Sequence, residues 1–192
     1  MKVTSVIGSP RSAGNSAAIT RVLLDSLQTS GAQVRTFELN KLSYRGCQGC
    51  MACKITSDKC VVKDDLSEVL EEIRAADVVL IASPVYFGDV TAQTKGLIDR
   101  CYSYYSPDYR TNPNPSRLAP GKKLVFILPQ GNPDQNAFED MITKYTRIFG
   151  RLGFAEIYPI RALGVGPESD ARKKATLIQL INDTADKIAA GA

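Results

Sequence analysis

The chain has 192 residues, 44% of them hydrophobic and 23% charged, which suits one sizeable buried core and argues against disorder. Lys and Arg exceed Asp and Glu by 24 to 20, and this formal charge of +4 is too small and too scattered to imply nucleic acid. Met1 leads into Val3, Val6 and Ile7 without a charged-then-apolar leader, and no apolar run nears the roughly 20 residues that span a bilayer, so a cytoplasmic protein with no membrane partner is expected.

Val3 to Ile7 reads as a short buried strand that ends at Gly8-Ser9-Pro10. From Asn15 onward, Ile19, Val22, Leu23 and Leu27 recur at helical spacing, and Gly31 stands where a left-handed cap is favoured. Gln33 to Leu39 is a second strand, followed by a cysteine-rich segment over 43–60. Asp65 with Glu68 three residues later resembles a capping box, opening a helix whose stripe is Leu66, Val69, Leu70 and Ile73. Asp77 to Ala82 (DVVLIA) is a continuous apolar run, as in a strand covered on both faces.

A turn over Ser83 to Gly88 leads to a helix from Ala92 to Tyr102. Between Tyr102 and Gly121 the composition turns to Tyr, Pro, Asn and Ser, a long surface excursion of the kind that often carries function. Lys123 to Leu128 is a fourth strand, Ala137 to Leu152 a helix closed near Gly153, and Glu156 to Leu163 a fifth strand whose Pro159 marks a sheet edge. A last helix runs from Asp170 to Ala189. Strands alternating with helices in this way predict one α/β domain over 1–192, a doubly wound five-stranded parallel sheet in the order 2-1-3-4-5 with helices on both faces.

In such sheets ligands bind beyond the carboxyl ends of the strands, where the strand order reverses. The first strand ends there in Gly8-Ser9-Pro10-Arg11-Ser12-Ala13-Gly14-Asn15-Ser16, directly before a helix. Hydroxyls at Ser9 and Ser16, the Asn15 amide, the Arg11 guanidinium and free N–H groups suit a terminal phosphate monoester. No Gly-Lys-Ser/Thr is present, and glycines at 8 and 14 alone do not make G-x-G-x-x-G, so neither nucleotide fingerprint applies. The plain alternative is a Ser- and Gly-rich turn with a good helix cap.

Cys47, Cys50, Cys53 and Cys60 form C-x2-C-x2-C-x6-C. In the cytoplasm thiols stay reduced, so this cluster reads as a metal site or redox centre before it reads as a disulfide framework. Steps of three residues let a short loop wrap successive thiolates around one group. A ferredoxin run is related but has a shorter last gap and a proline where Val61 stands here. Zinc usually joins two separated Cys pairs, and this chain has no histidine to complete a mixed site. Iron–sulfur cluster, zinc and free redox-active thiols all stay open. Cys101, on an apolar helix position, reads as a small core residue.

Gly8-Ser9-Pro10-Arg11 with Gly14-Asn15-Ser16 resembles the FMN-phosphate loop of the flavodoxin-like NAD(P)H-dependent FMN reductase family. Ser83-Pro84-Val85-Tyr86-Phe87-Gly88, followed by Ala92-Gln93, Lys95 and Ile98-Asp99-Arg100, resembles that family's second flavin loop. The cysteine motif resembles that of the branch of iron–sulfur flavoproteins, which carry a [4Fe–4S] cluster beside FMN. The resemblance implies phosphate contacts from Ser9, Arg11, Asn15 and Ser16, and a flavin lined by Pro84, Val85, Tyr86, Phe87 and Gly88. Gln130-Gly131-Asn132 would add a third flavin contact, and Cys47, Cys50, Cys53 and Cys60 would hold the cluster.

The activity implied is FMN-dependent electron transfer, with NAD(P)H as possible reductant and a small-molecule or protein redox partner. A reductase of FMN or quinone without a cluster is the first alternative, and a non-enzymatic carrier or thiol sensor the second. A surface cluster needs shielding, so a homodimer or homotetramer is expected. No acid–base residue is required.

Overall fold

Hydrophobic alternation with period two sets the layers of the fold. The computed structural model describes residues 1–166 and 170–190. Its strands are β1 (Lys2–Ile7), β2 (Gln33–Glu38), β3 (Val78–Ala82), β4 (Lys123–Pro129) and β5 (Glu156–Ala162), all parallel, in the order β2-β1-β3-β4-β5. β3 and β4 are buried along their whole length. Val79 and Ile81 of β3, with Leu124, Phe126 and Leu128 of β4, point into one core; Val78, Leu80, Val125 and Ile127 point into the other.

Helices α1 (Asn15–Thr29) and α6 (Ala175–Ala190) cover the second core through Ile19, Leu23, Leu27, Ile181 and Ile188. Helices α3 (Leu66–Ala75), α4 (Ala92–Arg100) and α5 (Glu139–Leu152) cover the first through Val69, Ile73, Leu97, Tyr145 and Phe149. The expected order 2-1-3-4-5 is therefore observed, and β5 with its Pro159 is an edge strand. Gly31, at φ 85°, closes α1 in the left-handed conformation.

Several boundaries differ from the sequence reading, each for a local reason. The reciprocal cap of α3 is made by Asp64, not Asp65: Asp64 Oδ1 accepts from Leu66 N while Asp64 N donates to Ser67 Oγ. Asp65 instead accepts from Ser43 N at 2.6 Å. Helix α5 starts at Glu139 rather than Ala137 because Phe138 sits at φ 64°, off the helical path. Helix α4 ends at Arg100, and Cys101–Tyr104 tighten into a 3-10 turn. In the last helix Asp170 caps a separate 3-10 turn, Ala171–Lys173, before α6 begins. The cysteine segment contains a short helix, α2 (Ala52–Ile55).

The ends of β1 and β3 are joined where the loops after them leave the sheet. Gly8 N donates to Ala82 O at 2.7 Å, and Thr91 Oγ1 donates to Gly8 O at 2.6 Å. A Cβ on Gly8 would stand 1.8 Å from Thr94 Oγ1, which is itself buried against Thr91 Oγ1. Gly8→Ala is expected to destabilise the chain by about 1–3 kcal/mol, the usual cost of overpacking. Urea unfolding should show a lowered midpoint with an unchanged slope; an unaltered midpoint would contradict the close approach.

Candidate functional site

A cleft opens beyond the carboxyl ends of β1, β3 and β4. Its wall includes Ser9, Arg11, Asn15 and Ser16 from the first loop, Pro84, Val85 and Tyr86 from the second, and Gly131. The first loop is a tight turn in which Arg11 N donates to Ser9 Oγ and Gly14 N to Arg11 O. It delivers α1 with Gly14 as N-cap, no capping side chain and no acidic residue in the first turn. The first N–H groups of the helix therefore lack an internal acceptor, which leaves the positive end of the helix dipole facing the cleft. Ser16 is 1% exposed, and its Oγ has no hydrogen-bond partner.

Asn15 takes a different part from the one its side chain suggests. Its Nδ2 donates to Gly166 O and its Oδ1 accepts from Ala171 N, both at 2.9 Å. The amide thus ties the chain after β5 against the start of α1 and brings Val165 and Gly166 into the cleft wall. Neither of those residues was visible as a site residue from the sequence, since no motif marks them.

The second loop is a two-residue turn. Tyr86 and Asp89 exchange backbone hydrogen bonds, and Phe87 and Gly88 between them have φ of 50° and 82°. Glycine adopts this conformation freely, but a phenylalanine there is strained by about 1–2 kcal/mol, and Phe87 is also fully exposed. Tyr86 lines the cleft, whereas Phe87 and Gly88 form the tip of the turn outside its wall. The turn is held by Asp89, whose carboxylate accepts from Val90 N, Tyr145 Oη and Lys144 Nζ at 2.7–2.8 Å. Burial pushes the Asp89 carboxyl up, but these bonds outweigh it and keep it below the ordinary range.

Gln130 does not line the cleft. Its side chain donates to Asn132 O and Asp134 O and accepts from Arg161 Nη2, so it shapes the 131–137 loop from within. Gly131, its neighbour, does reach the cleft.

All four clustered cysteines border one small cavity, together with Met51, Val61, Arg100 and Tyr102. Gly49 and Met51, at φ 63° and 59°, bend the loop between them. No three His, Cys, Asp or Glu side chains among the described residues converge closely enough to hold a single metal ion. Arg100 is 1% exposed and grips the segment at four points: Nε donates to Cys60 Sγ at 3.0 Å, Nη1 to Arg45 O and Asp64 Oδ2, and Nη2 to Val62 O. Arg117 Nη1 donates to Cys53 O, and Lys54 Nζ donates to Tyr102 O and Tyr105 O.

The excursion after α4 thus braces the cysteine loop, with Tyr102, Tyr105 and Tyr109 packed on one another. Cys101 lies in the core as expected, its thiol pushed up to about 12 by burial.

The chain matches the family described as having a flavodoxin-like fold over residues 1–183. An iron–sulfur flavoprotein of Methanocaldococcus jannaschii is 39% identical over 100 residues, covering 52% of this chain and 51% of the relative. An FMN-dependent NADH:quinone oxidoreductase of Chromobacterium violaceum is 32% identical over 128 residues, 64% of this chain and 61% of that one. The matched stretch spans about half the length of the iron–sulfur flavoproteins it resembles. Among solved structures, an FMN-dependent NADH-azoreductase from Bacillus anthracis superposes with a TM-score of 0.76 at 14% identity, covering 98% of this chain and 100% of that one. That likeness is one of fold. No helix among the described residues is long and apolar enough to cross a membrane.

Among the described residues, Asp64 is the sole carboxylate paired with the buried Arg100, at 2.9 Å. Burial pushes its carboxyl up, but the bonds from Arg100, Arg45 N and Leu66 N win, and the net shift is downward. A carboxyl lowered on folding stabilises the protein fully above its unfolded value of about 3.9 and loses that contribution as pH falls through the folded value. Asp64→Asn should therefore cost about 3–5 kcal/mol near pH 7, because the arginine charge is left buried and unpaired. The gap between parent and variant should shrink in acid, below about pH 4, as read by urea unfolding across pH. A gap that does not change with pH would refute the assignment.

Proposed function

We propose, on the premise that this chain belongs to the family with a flavodoxin-like fold, that it is an FMN-dependent oxidoreductase passing electrons between the flavin and an iron–sulfur cluster. One observation carries the flavin reading: the buried, unpartnered Ser16 Oγ at an α1 terminus that has no cap of its own. A buried hydroxyl without a partner costs about 1–3 kcal/mol, and a phosphate oxygen at this terminus would relieve it while meeting the helix dipole. The residues fit the group. Ser9, Arg11 and Ser16 would hold the phosphate through their side chains, and Asn15 through its backbone N–H.

Pro84, Val85 and Tyr86 would line the flavin, with Phe87 and Gly88 at the tip of the same turn and Gly131 opposite. Bound there, FMN would supply hydride acceptance from NAD(P)H and release of electrons one at a time. The chain's own work is placement. Asn15 fixes the wall after β5, Asp89 fixes the Tyr86–Gly88 turn through Tyr145 and Lys144, and Gln130 fixes the loop that carries Gly131.

Cys47, Cys50, Cys53 and Cys60 would hold a [4Fe–4S] cluster. Four thiolates are soft ligands suited to iron and sulfur. A cubane presents four irons to four separate sulfurs, so its ligands need only border one cavity, as these do, rather than converge on one point. Arg100, Arg117 and Lys54 bring positive charge to a loop that would carry four thiolates. Such a cluster would supply one-electron exchange with a small-molecule or protein redox partner.

A second reading, an NAD(P)H-dependent FMN or quinone reductase without the cluster, draws on the absence of a convergent ligand set among the described residues and on the quinone oxidoreductase relative. In either reading 1–192 acts as one FMN-binding domain in the cytoplasm. There reducing conditions suit five free cysteines. Exposed Met51, Ile55 and Val61 beside the cysteine loop, and Tyr86 and Phe87 at the cleft, favour a homodimer or homotetramer.

Ser16→Ala should weaken FMN binding about 10- to 100-fold, the worth of a hydrogen bond to a charged group. The flavin-free protein should lose no stability, because the hydroxyl removed there has no partner. Flavin fluorescence titration and thermal unfolding read the two halves; unchanged FMN affinity would end the phosphate assignment. Cys50→Ser should lower bound iron, measured after anaerobic purification, to less than half the parent's while FMN content stays the same. Retained iron, or a parent with none, decides for the cluster-free reductase.

A further inference from the structure

A second cavity, of about 230 Å³, adjoins the cysteine loop between residues 59–63, α3 and the turn after α4. Cys60 borders both this cavity and the one shared by the four thiols. The charged groups around it are Lys59, Lys63 and Arg74 against the single carboxylate of Glu71. Lys59 Nζ meets Glu71 Oε2 at 2.7 Å, but both side chains are about half exposed, and such pairs contribute little. Lys63 is exposed and has no hydrogen-bond or ion-pair partner among the described residues.

Arg74 holds the clearest signal. Its Nη2 donates to Asp58 O at 3.0 Å and its guanidinium lies over the Tyr104 ring, 5.5 Å from the centroid. Its Nε, by contrast, is buried with no partner. Its Nη1 makes no hydrogen bond among the described residues and is not enclosed as Nε is, so this open end of the guanidinium is what an anion in the cavity would meet.

Two of the neutral polar side chains of the cavity are already engaged. Ser67 Oγ donates to Val62 O and accepts from Asp64 N, and Tyr104 Oη donates to Leu70 O. Beside the Ser103 hydroxyl the remaining donors are cationic, so the cavity favours charge over a pattern of neutral hydrogen bonds. A planar guanidinium edge beside two lysine point charges matches a tetrahedral oxyanion with several acceptor oxygens. The volume lies below the range of about 300–1,000 Å³ that encloses drug-sized ligands, which favours a small anion over a whole dinucleotide.

From this we infer that the cavity behind Cys60 is a binding site for a phosphoryl anion, either inorganic pyrophosphate or the diphosphate end of a nucleotide. Binding there requires neither flavin nor cluster, so the site stands apart from the cleft at α1.

Isothermal titration of FMN-saturated protein with inorganic pyrophosphate tests it, with the flavin occupying the α1 terminus. One pyrophosphate per chain is expected. Lys63→Glu, a change at an exposed side chain, should weaken it at least 10-fold without altering FMN content or melting temperature, and Arg74→Gln should weaken it similarly. The same difference between parent and Lys63→Glu is expected in flavin-stripped protein, so a failed flavin reading would leave this result intact. ADP binding at least as tightly as pyrophosphate, with adenosine inert, identifies a nucleotide source; pyrophosphate binding with ADP weaker identifies the free anion. No heat with pyrophosphate, or equal affinity in Lys63→Glu, overturns the inference.

Discussion

The peptide of Gly8 is gripped from both sides, and the arrangement of the cleft follows from that grip. Its N–H is held by Ala82 O at the end of β3, and its carbonyl by Thr91 Oγ1 at the start of α4. Thr91 also caps α4 through Thr94 N, and its own N–H donates to Ser83 Oγ. Each bond is worth only about 1 kcal/mol, but together they set the distance between the loop after β1 and the loop after β3. A strand order that reverses at β1 and β3 opens a crevice there. The Gly8 contact keeps its floor narrow, and only a residue without a Cβ allows so close an approach.

The cysteine segment poses the opposite problem, because most of it has no regular structure to satisfy its backbone. Its carbonyls are met by cationic side chains. Arg100 takes Arg45 O and Val62 O, Arg117 takes Cys53 O and Asp58 O, and Arg74 takes Asp58 O as well. Arginine suits this task because one planar group offers five donors in fixed directions, whereas a lysine could not span the same four partners. Burying Arg100 costs several kcal/mol of desolvation, and Asp64 is the one carboxylate among the described residues paired with it. That cost is accepted where a loop must be fixed without helix or sheet.

Periodicity made the strands, their order and the two loops that border the cleft legible in the sequence, because β3 and β4 are apolar throughout and α1, α3 and α5 carry clear stripes. The failures share a cause. Asp64 and Asp65 are equally good caps on paper, and the choice was made by Ser43 N, a donor 22 residues away. Asn15, at the start of α1, still borders the cleft, but its amide and that of Gln130 are engaged by partners 151 and 31 residues distant, which spacing alone does not show. Phe138 ends up in a left-handed conformation that no propensity predicts. Arg100 read as part of a helix motif, and its contacts to residues 45, 60, 62 and 64 appear only once the chain has closed. Spacing reveals which residues share an element, while long-range partners decide what each polar side chain has left to offer.

The same principle changes the meaning of the net charge. Along the sequence a surplus of four cations looks scattered, yet folding brings Lys54, Lys59, Lys63, Arg74, Arg100 and Arg117 against one segment of about twenty residues, met chiefly by Asp64 and Glu71. Opposite charges brought together in a low-dielectric setting interact far more strongly than in water, and a cleft of one sign concentrates ions of the other. Were the four cysteines to hold a cluster as proposed, these cations would stand beside the negative charge it brings. Helix α4 links this basic end to the cleft: Thr91 and Thr94 fix its first turn to Gly8, and Arg100 fixes its last turn to Cys60. Nine residues at 1.5 Å each make that helix about 14 Å long. The two candidate sites are therefore mounted on opposite ends of one short helix.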